Sequence, residues 1–187
     1  MRKGRTAVDE RVKEDNRTLG LVYACAIRRV LQKPKSVDAP MLCEALQQDK
    51  GVIDANLAKT ILRDIAEVKR TATMTGKSGG NSALLDELTT LLQDSPAVVM
   101  DKLCVPKDAK QHIVLCLAVE YCLGRMTYMP GVVQGYIVKN AQYITKTAKM
   151  RMLRSIQAFE AAGCSLGMHV DAVSWKNFEL WLIAQTN

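Results

Sequence analysis

Aromatic side chains are scarce in this chain of 187 residues: two Trp, five Tyr and two Phe, about 5%. Alternation of Val, Ile and Thr at period two is equally hard to find, so the usual signals of a β-protein are missing. Five prolines and eleven glycines are too few for a collagen-like or linker-like chain. No unbroken apolar run, Ile113 to Val119 included, exceeds seven residues, whereas a membrane span needs about 20. The opening MRKGRT is basic but leads into DERVKEDN rather than an apolar stretch, so no secretory signal is expected. No CxxC pair occurs among the six cysteines, Cys25, Cys43, Cys104, Cys116, Cys122 and Cys164. Three of them lie inside apolar stretches, which predicts reduced core thiols in a cytoplasmic protein.

What the chain does have is helical periodicity. At 48% hydrophobic and 24% charged it reads as a globular protein of one or two small domains. Leu19, Val22, Tyr23, Ala26, Ile27 and Val30 mark one face of a helix over 17–31, ended by Pro34. Asp38 is placed to cap a second helix, with Pro40 in its first turn and Met41, Leu42, Ala45 and Leu46 inward. After Asp49-Lys50-Gly51, Asp54 caps a third with Leu57, Ile61, Leu62, Ile65 and Val68 on its stripe. Residues 71–82, TATMTGKSGGNS, have no apolar period and read as a linker. Ser82 then precedes a leucine-rich helix, and Ser95-Pro96 is read as opening a short one that ends near Cys104. Asp108 opens a strongly apolar helix over 109–123, which predicts burial on most sides. Gly124 ends it, Pro130 opens the next, and Thr145 caps a longer one that stops at Gly163. The last helix starts near Ser174, with Val173 and Phe178 placed as a hydrophobic staple and Trp175, Phe178 and Leu182 inward.

The expected fold is therefore all-α, with about eight helices. It divides into a basic N-terminal lobe (1–70), the linker (71–82) and a C-terminal lobe (83–187). The segments 21–65 and 113–156 also resemble each other. Ala26 and Leu31 match Ala118 and Leu123, 92 positions on; Leu62, Arg63 and Ile65 match Leu153, Arg154 and Ile156, 91 positions on. One deletion reconciles the registers, and Pro40 and Pro130 open the corresponding second helices, one step out of register. This reads as a duplication giving two related three-helix lobes, against the plainer view that amphipathic helices often align this well.

Charge is uneven. The net charge is +7, and residues 1–37 hold ten bases and four acids. A basic end attracts polyanions and releases them in salt; it also serves as a solvated tail.

Catalytic signals are weak. Gly76-Lys77-Ser78 looks like the end of a phosphate loop. Thr71 stands where that motif needs glycine, no strand precedes it, and further glycines follow where a helix should begin. His112 and Cys116 are four apart and able to reach one metal. Cys122 lies roughly 80° farther round the helix, and no fourth ligand is apparent. Cys164, His169 and Asp171 can be written as a nucleophile set, but local sequence gives no support. Nor does any carboxylate pair stand in an apolar setting.

The most informative segment runs from Tyr121 to Pro130. It joins two buried helices through Gly124-Arg125 and carries Tyr121 and Tyr128. One reading is a tight corner, with Arg125 bonding the helix carbonyls and Tyr128 packed down. The other is a partner-contact surface, since Tyr and Arg are enriched at binding hot spots. Lys146 and Lys149, with Lys139, make a solvent stripe; Arg151 points elsewhere, and Arg154 shares its repeat position with Arg63, which suggests a corner-holding role for both.

This segment resembles a loose group of small bacteriophage proteins that carry Y-A-L-G-R-x-S/T-Y after an apolar helix, then an R-D-I-like step, then an acid and a Trp. The matches are Tyr121, Leu123, Gly124, Arg125, Thr127 and Tyr128, then Arg154 and Ile156, then Asp171 and Trp175. Cys122 replaces the Ala and Ser155 the Asp. The resemblance covers about 112–183, contains no catalytic motif, and implies a phage or prophage origin. Small helical phage proteins without catalytic motifs are often inhibitors of host systems, CRISPR effectors among them, or nucleic-acid-binding regulators. The expectation is a non-enzymatic binding protein that inhibits a host defence protein or ribonucleoprotein. Its contacts would be Tyr121, Arg125, Tyr128, Lys146 and Lys149, with no metal, cofactor or membrane. The alternative is a basic DNA- or RNA-binding regulator using Arg2, Lys3, Arg5, Lys33 and Lys35. A homodimer is compatible with both, and an enzyme assembled from distant residues is the third class.

Overall fold

A computed structural model describes residues 7–33, 36–75, 82–125, 128–164, 166 and 172–187. Among them the fold is all-α, with eight α-helices and no strand. The helices are α1 (Ala7–Gln32), α2 (Ala39–Gln48), α3 (Ala55–Met74), α4 (Ser82–Gln93), α5 (Ala109–Cys122), α6 (Met129–Lys139), α7 (Lys146–Ala161) and α8 (Ala172–Thr186). A short 3-10 turn, Ala141–Tyr143, precedes α7. No helix of the described residues is long and apolar enough to cross a membrane.

α5 and α1 are the axis of the structure. α5 packs against α1, α2, α6 and α7, and this enclosure is why its sequence is apolar on nearly every side. Val114 through Val119 are all buried. On α1, Val22 to Ile27 are buried without a break. α4 covers α2 and α3, and α8 covers α7. Trp175, Phe178 and Leu182 enter one continuous apolar core that runs from Leu19 to Leu182. Such burial, worth about 25 cal/mol per Å² of apolar surface, is the main favourable term in folding.

Helix ends follow side-chain chemistry. Asp54 accepts from the Leu57 N–H at 2.9 Å, and Thr145 from the Ala148 N–H at 3.3 Å. Asp108 and Gln111 form a reciprocal capping box at the start of α5, which satisfies amide donors that a helix start leaves unpaired. Gly124 and Gly163 close α5 and α7 at φ +74°.

Several boundaries differ from the sequence expectation, each for a visible reason. α1 starts ten residues before the expected start at 17, because DERVKEDNR continues the helix as a charged, mostly exposed stretch. The expected linker is helical over 71–74, and Ser82 already lies within α4. There the Thr71 and Thr73 hydroxyls bond back to the carbonyls of Glu67 and Lys69 at 2.9 and 3.0 Å, so polar residues sit in a helix without interrupting it. No helix forms over 95–104. The backbone is instead committed outward: Ala55 N–H donates to Pro96 O at 2.7 Å and Met100 N–H to Gly51 O at 3.1 Å. Asp38 precedes α2 but makes no side-chain cap; its carboxylate faces Arg151. Val173 is 73% exposed, so it staples nothing.

A buried polar cluster ties α1, α5 and the 94–108 segment together. Asp49, 5% exposed, accepts from Tyr23 Oη at 2.7 Å and from Gln111 Nε2 at 2.9 Å to each carboxylate oxygen. Burial, reinforced by the Asp49 charge, pushes the Tyr23 hydroxyl well above its ordinary range, so it stays a donor. Asn16, fully buried, donates to the carbonyls of Met100 and Lys102 at 3.0 and 2.8 Å and accepts from Cys104 N–H at 3.1 Å. Close backbone approach here requires Gly20, where an added Cβ would lie 2.4 Å from Val52 O.

Candidate functional site

The α5–α6 corner is organised by Gly124 and Arg125. A Cβ on Gly124 would meet Phe159 Cζ at 2.9 Å, so the corner needs glycine for both conformation and space. The Arg125 amide donates to Cys122 O at 3.1 Å. Among the described residues its side chain makes no bond to the helix carbonyls, contrary to the structural reading of this corner. The guanidinium instead lies over the Tyr121 ring, 4.6 Å from the centroid, where the ring's negative face attracts it. Tyr128 is 74% exposed and covers no helix end: as the residue before α6, it stands clear of the core. Thr127, like Met126, lies outside the described residues.

Two grooves meet at this corner. One, of about 450 Å³, is lined by Arg29, Glu120 and Phe159 among others; the second, of about 400 Å³, by Arg28, Arg63 and Asp64. Gln32, Tyr121 and Arg125 line both. Helical geometry explains the split. Arg28 and Arg29 are consecutive on α1, hence about 100° apart around its axis, and each serves a different groove.

The hydrogen bonding within the grooves is lopsided. Arg28 Nε donates to Asp64 Oδ2 at 2.8 Å and Arg29 Nε to Glu120 Oε2 at 3.1 Å. Among the described residues the terminal nitrogens of both guanidiniums make no further bond, and Arg63 and Arg125 make no ion pair. Four arginines thus present forked donor ends, while the two carboxylates are held against Nε atoms. Glu120 is further held by Arg151, at 3.4 Å, which also grips Asp38 at 3.2 and 2.5 Å. The Asp38 hydrogen bond is the largest cause holding the Arg151 guanidinium above its ordinary range. Behind the grooves, Cys25 and Cys122 lie 3.9 Å apart, sulfur to sulfur, in the core. Their hydrogen bond lowers the Cys25 thiol.

Of the residues singled out from sequence, Tyr121 and Arg125 line the grooves. Lys146 is exposed in the first turn of α7, away from them. Lys149 is not on a solvent stripe with it: it is 8% exposed, donates to Gln185 at 3.2 Å and lies 6.0 Å from the Trp181 ring centroid. The cause is α8, which covers that face of α7. Lys139 pairs with Asp15. Arg63 and Arg154 are both exposed, so neither holds a buried corner. Lys33 is exposed just past α1, while Arg2, Lys3, Arg5 and Lys35 lie outside the described residues.

Placement also bears on the sets weighed for chemistry. His112 Nε2 lies 3.2 and 3.1 Å from the carbonyls of Pro106 and Tyr143, which puts its proton on that nitrogen. Cys116 Sγ sits 3.7 Å from Ala148 O, and burial raises its thiol to about 12. Cys164 is exposed; His169 and Asp171 lie outside the described residues, as do Gly76, Lys77 and Ser78. Arg28, Arg29 and Arg63 are the site residues that periodicity did not reveal. The available signal was the Arg28-Arg29 doublet inside the apolar stretch 19–31 of α1, and Arg63-Asp64 on α3.

Neither a family model, nor a curated protein, nor a solved structure matches this chain.

Proposed function

We propose that the chain is a non-enzymatic binding protein that acts by occupying a surface of a partner protein, of the kind phages direct at host defence proteins or ribonucleoproteins. One observation carries this reading: four arginines whose terminal donors are unengaged among the described residues converge with Tyr121 on two joined grooves. Arg and Tyr dominate binding hot spots because they combine a large contact area with directional bonds. Tyr128, exposed and three residues past Arg125 in sequence, is assigned to the same contact face as part of this proposal.

A nucleic-acid partner is the second reading, favoured by the basic residues 1–37. The described residues hold twenty-one bases against eighteen acids, so most of the chain's excess charge lies outside them. With the terminal arm set aside, that near balance over the described residues favours a protein partner over a polyanion.

The test is capture of the tagged full chain's partner with and without nuclease. The expected complex is stoichiometric, survives nuclease, and is weakened by about 2 kcal/mol or more in Arg125→Ala. Loss of the complex on nuclease treatment, or unchanged binding by Arg125→Ala, would overturn the reading.

A further inference from the structure

We propose that the two grooves form one receptor site for an acidic, amphipathic peptide segment of the partner; this rests on the reading above and adds the chemistry of what is bound. The forked ends of Arg28, Arg29, Arg63 and Arg125 match carboxylates, which accept two parallel N–H bonds from a planar guanidinium. Each groove also has apolar wall: Leu31 and Val68 in one, Leu123 and Phe159 in the other. A bound segment therefore carries acidic side chains for the arginines and aliphatic ones for the walls.

The anchors are set before binding. Asp64 and Glu120 hold Arg28 and Arg29 by Nε, at 2.8 and 3.1 Å. The two guanidiniums are oriented without consuming their terminal donors, and less side-chain entropy is lost on binding. Arg125 is similarly steadied on the Tyr121 ring.

The same carboxylates argue against a nucleic-acid occupant. Duplex DNA presents one charge per about 1.7 Å of axis and calls for an uninterrupted basic track. Here an acid stands beside an arginine in both grooves. Concavities of about 450 and 400 Å³ are the size of small-ligand sites and receive individual side chains rather than a helical backbone.

The experiment is fluorescence anisotropy of the full chain with a fluorescein-labelled peptide of Glu-Glu-Leu repeats. The same peptide with Gln for Glu and a labelled oligothymidylate are the comparisons. The Glu peptide is expected to bind best, with the Gln peptide weaker by about tenfold or more. Arg63→Ala and Arg125→Ala each weaken the Glu peptide by about tenfold, and Arg63→Lys recovers only part, because a lysine keeps charge but not the fork. Arg63 has no ion pair among the described residues, so its variants report on binding rather than folding. No binding of the Glu peptide, equal binding of Glu and Gln peptides, tighter binding of the oligonucleotide, or indifference to both arginine variants would each overturn the proposal. If the peptide fails while the nuclease-resistant complex still depends on Arg125, the acidic-segment inference falls alone. If no such complex forms, the broader reading falls.

Discussion

Two of the molecule's polar clusters treat hydrogen-bonding capacity in opposite ways. Around Asp49 and Asn16, the carboxylate accepts three bonds and the amide makes three, all within the protein. Around Arg125, the carboxylates are engaged but, among the described residues, the terminal donors of four arginines are not. A buried polar group without partners costs far more than a partnered one returns. The Asp49 cluster is therefore closed and structural. The arginine cluster, at the surface, keeps donors in water that a partner can take over. Geometry, not residue type, separates the two.

The largest expected effect of breaking that contrast is at the closed cluster. Asp49→Ala leaves the Tyr23 hydroxyl and Gln111 amide facing a hole where their acceptor was, with water largely excluded. We expect a loss of about 3 kcal/mol in urea denaturation. Tyr23→Phe removes a single donor and leaves Asp49 its Gln111 bonds, so about 1 kcal/mol is expected. Equal losses for the two would mean that Asp49 is not the hub.

Next is the corner that joins the open cluster to the core. Gly124→Val places a β-branched residue at φ +74°, with its Cβ 2.9 Å from Phe159 Cζ. The conformational cost alone is about 1–2 kcal/mol. Because Phe159 lines one groove, partner binding falls with stability here. In a Phe159→Leu background, Gly124→Ala separates the two causes. A residual loss near 1 kcal/mol there is the backbone term, and a complete recovery would show that the contact with Phe159 was the whole cost.

The fold was legible because its determinants are local. Stripes at 19–30, 57–68 and 148–159, the caps Asp54, Asp108 and Thr145, and the stop glycines Gly124 and Gly163 all act within a few residues. The early start of α1 and the helical 71–74 are local misreadings of polar sequence, but three other errors occurred where distant partners decide. Asp38 has the right residue and place for a cap, but Arg151, 113 positions away, takes its carboxylate. Ser95-Pro96 reads as a helix start, but Gly51 and Ala55 claim that backbone. Lys149 has the spacing of a solvent stripe, but α8 covers it. For the site, Tyr121 and Arg125 stood out because they sit together in a short corner. Arg28, Arg29 and Arg63 did not, since only the packing of α1 beside α3 and α5 brings three separate helices to one face. A doublet of arginines inside an apolar stripe is the one hint that sequence offers for such an arrangement.

The smallest effects test the open cluster most sharply. Arg63 makes no ion pair among the described residues, so Arg63→Ala should change stability by no more than about 0.5 kcal/mol in either direction. Arg125→Ala forfeits only the contact with Tyr121, worth about 0.5–1 kcal/mol at an exposed site. For a chain of this size that is a shift of roughly 1–4 °C in Tm. Against these stand binding losses of about 2 kcal/mol or more for a hot-spot arginine. Thermal denaturation and partner titration on the same two variants therefore give a ratio of effects, and the ratio decides. Binding losses several times the stability losses mean that the donors are held for a partner. Stability losses above about 1 kcal/mol in Arg63→Ala would mean that its charge is already used within the fold, and the grooves would then belong with the Asp49 cluster as part of the structure rather than with a binding surface.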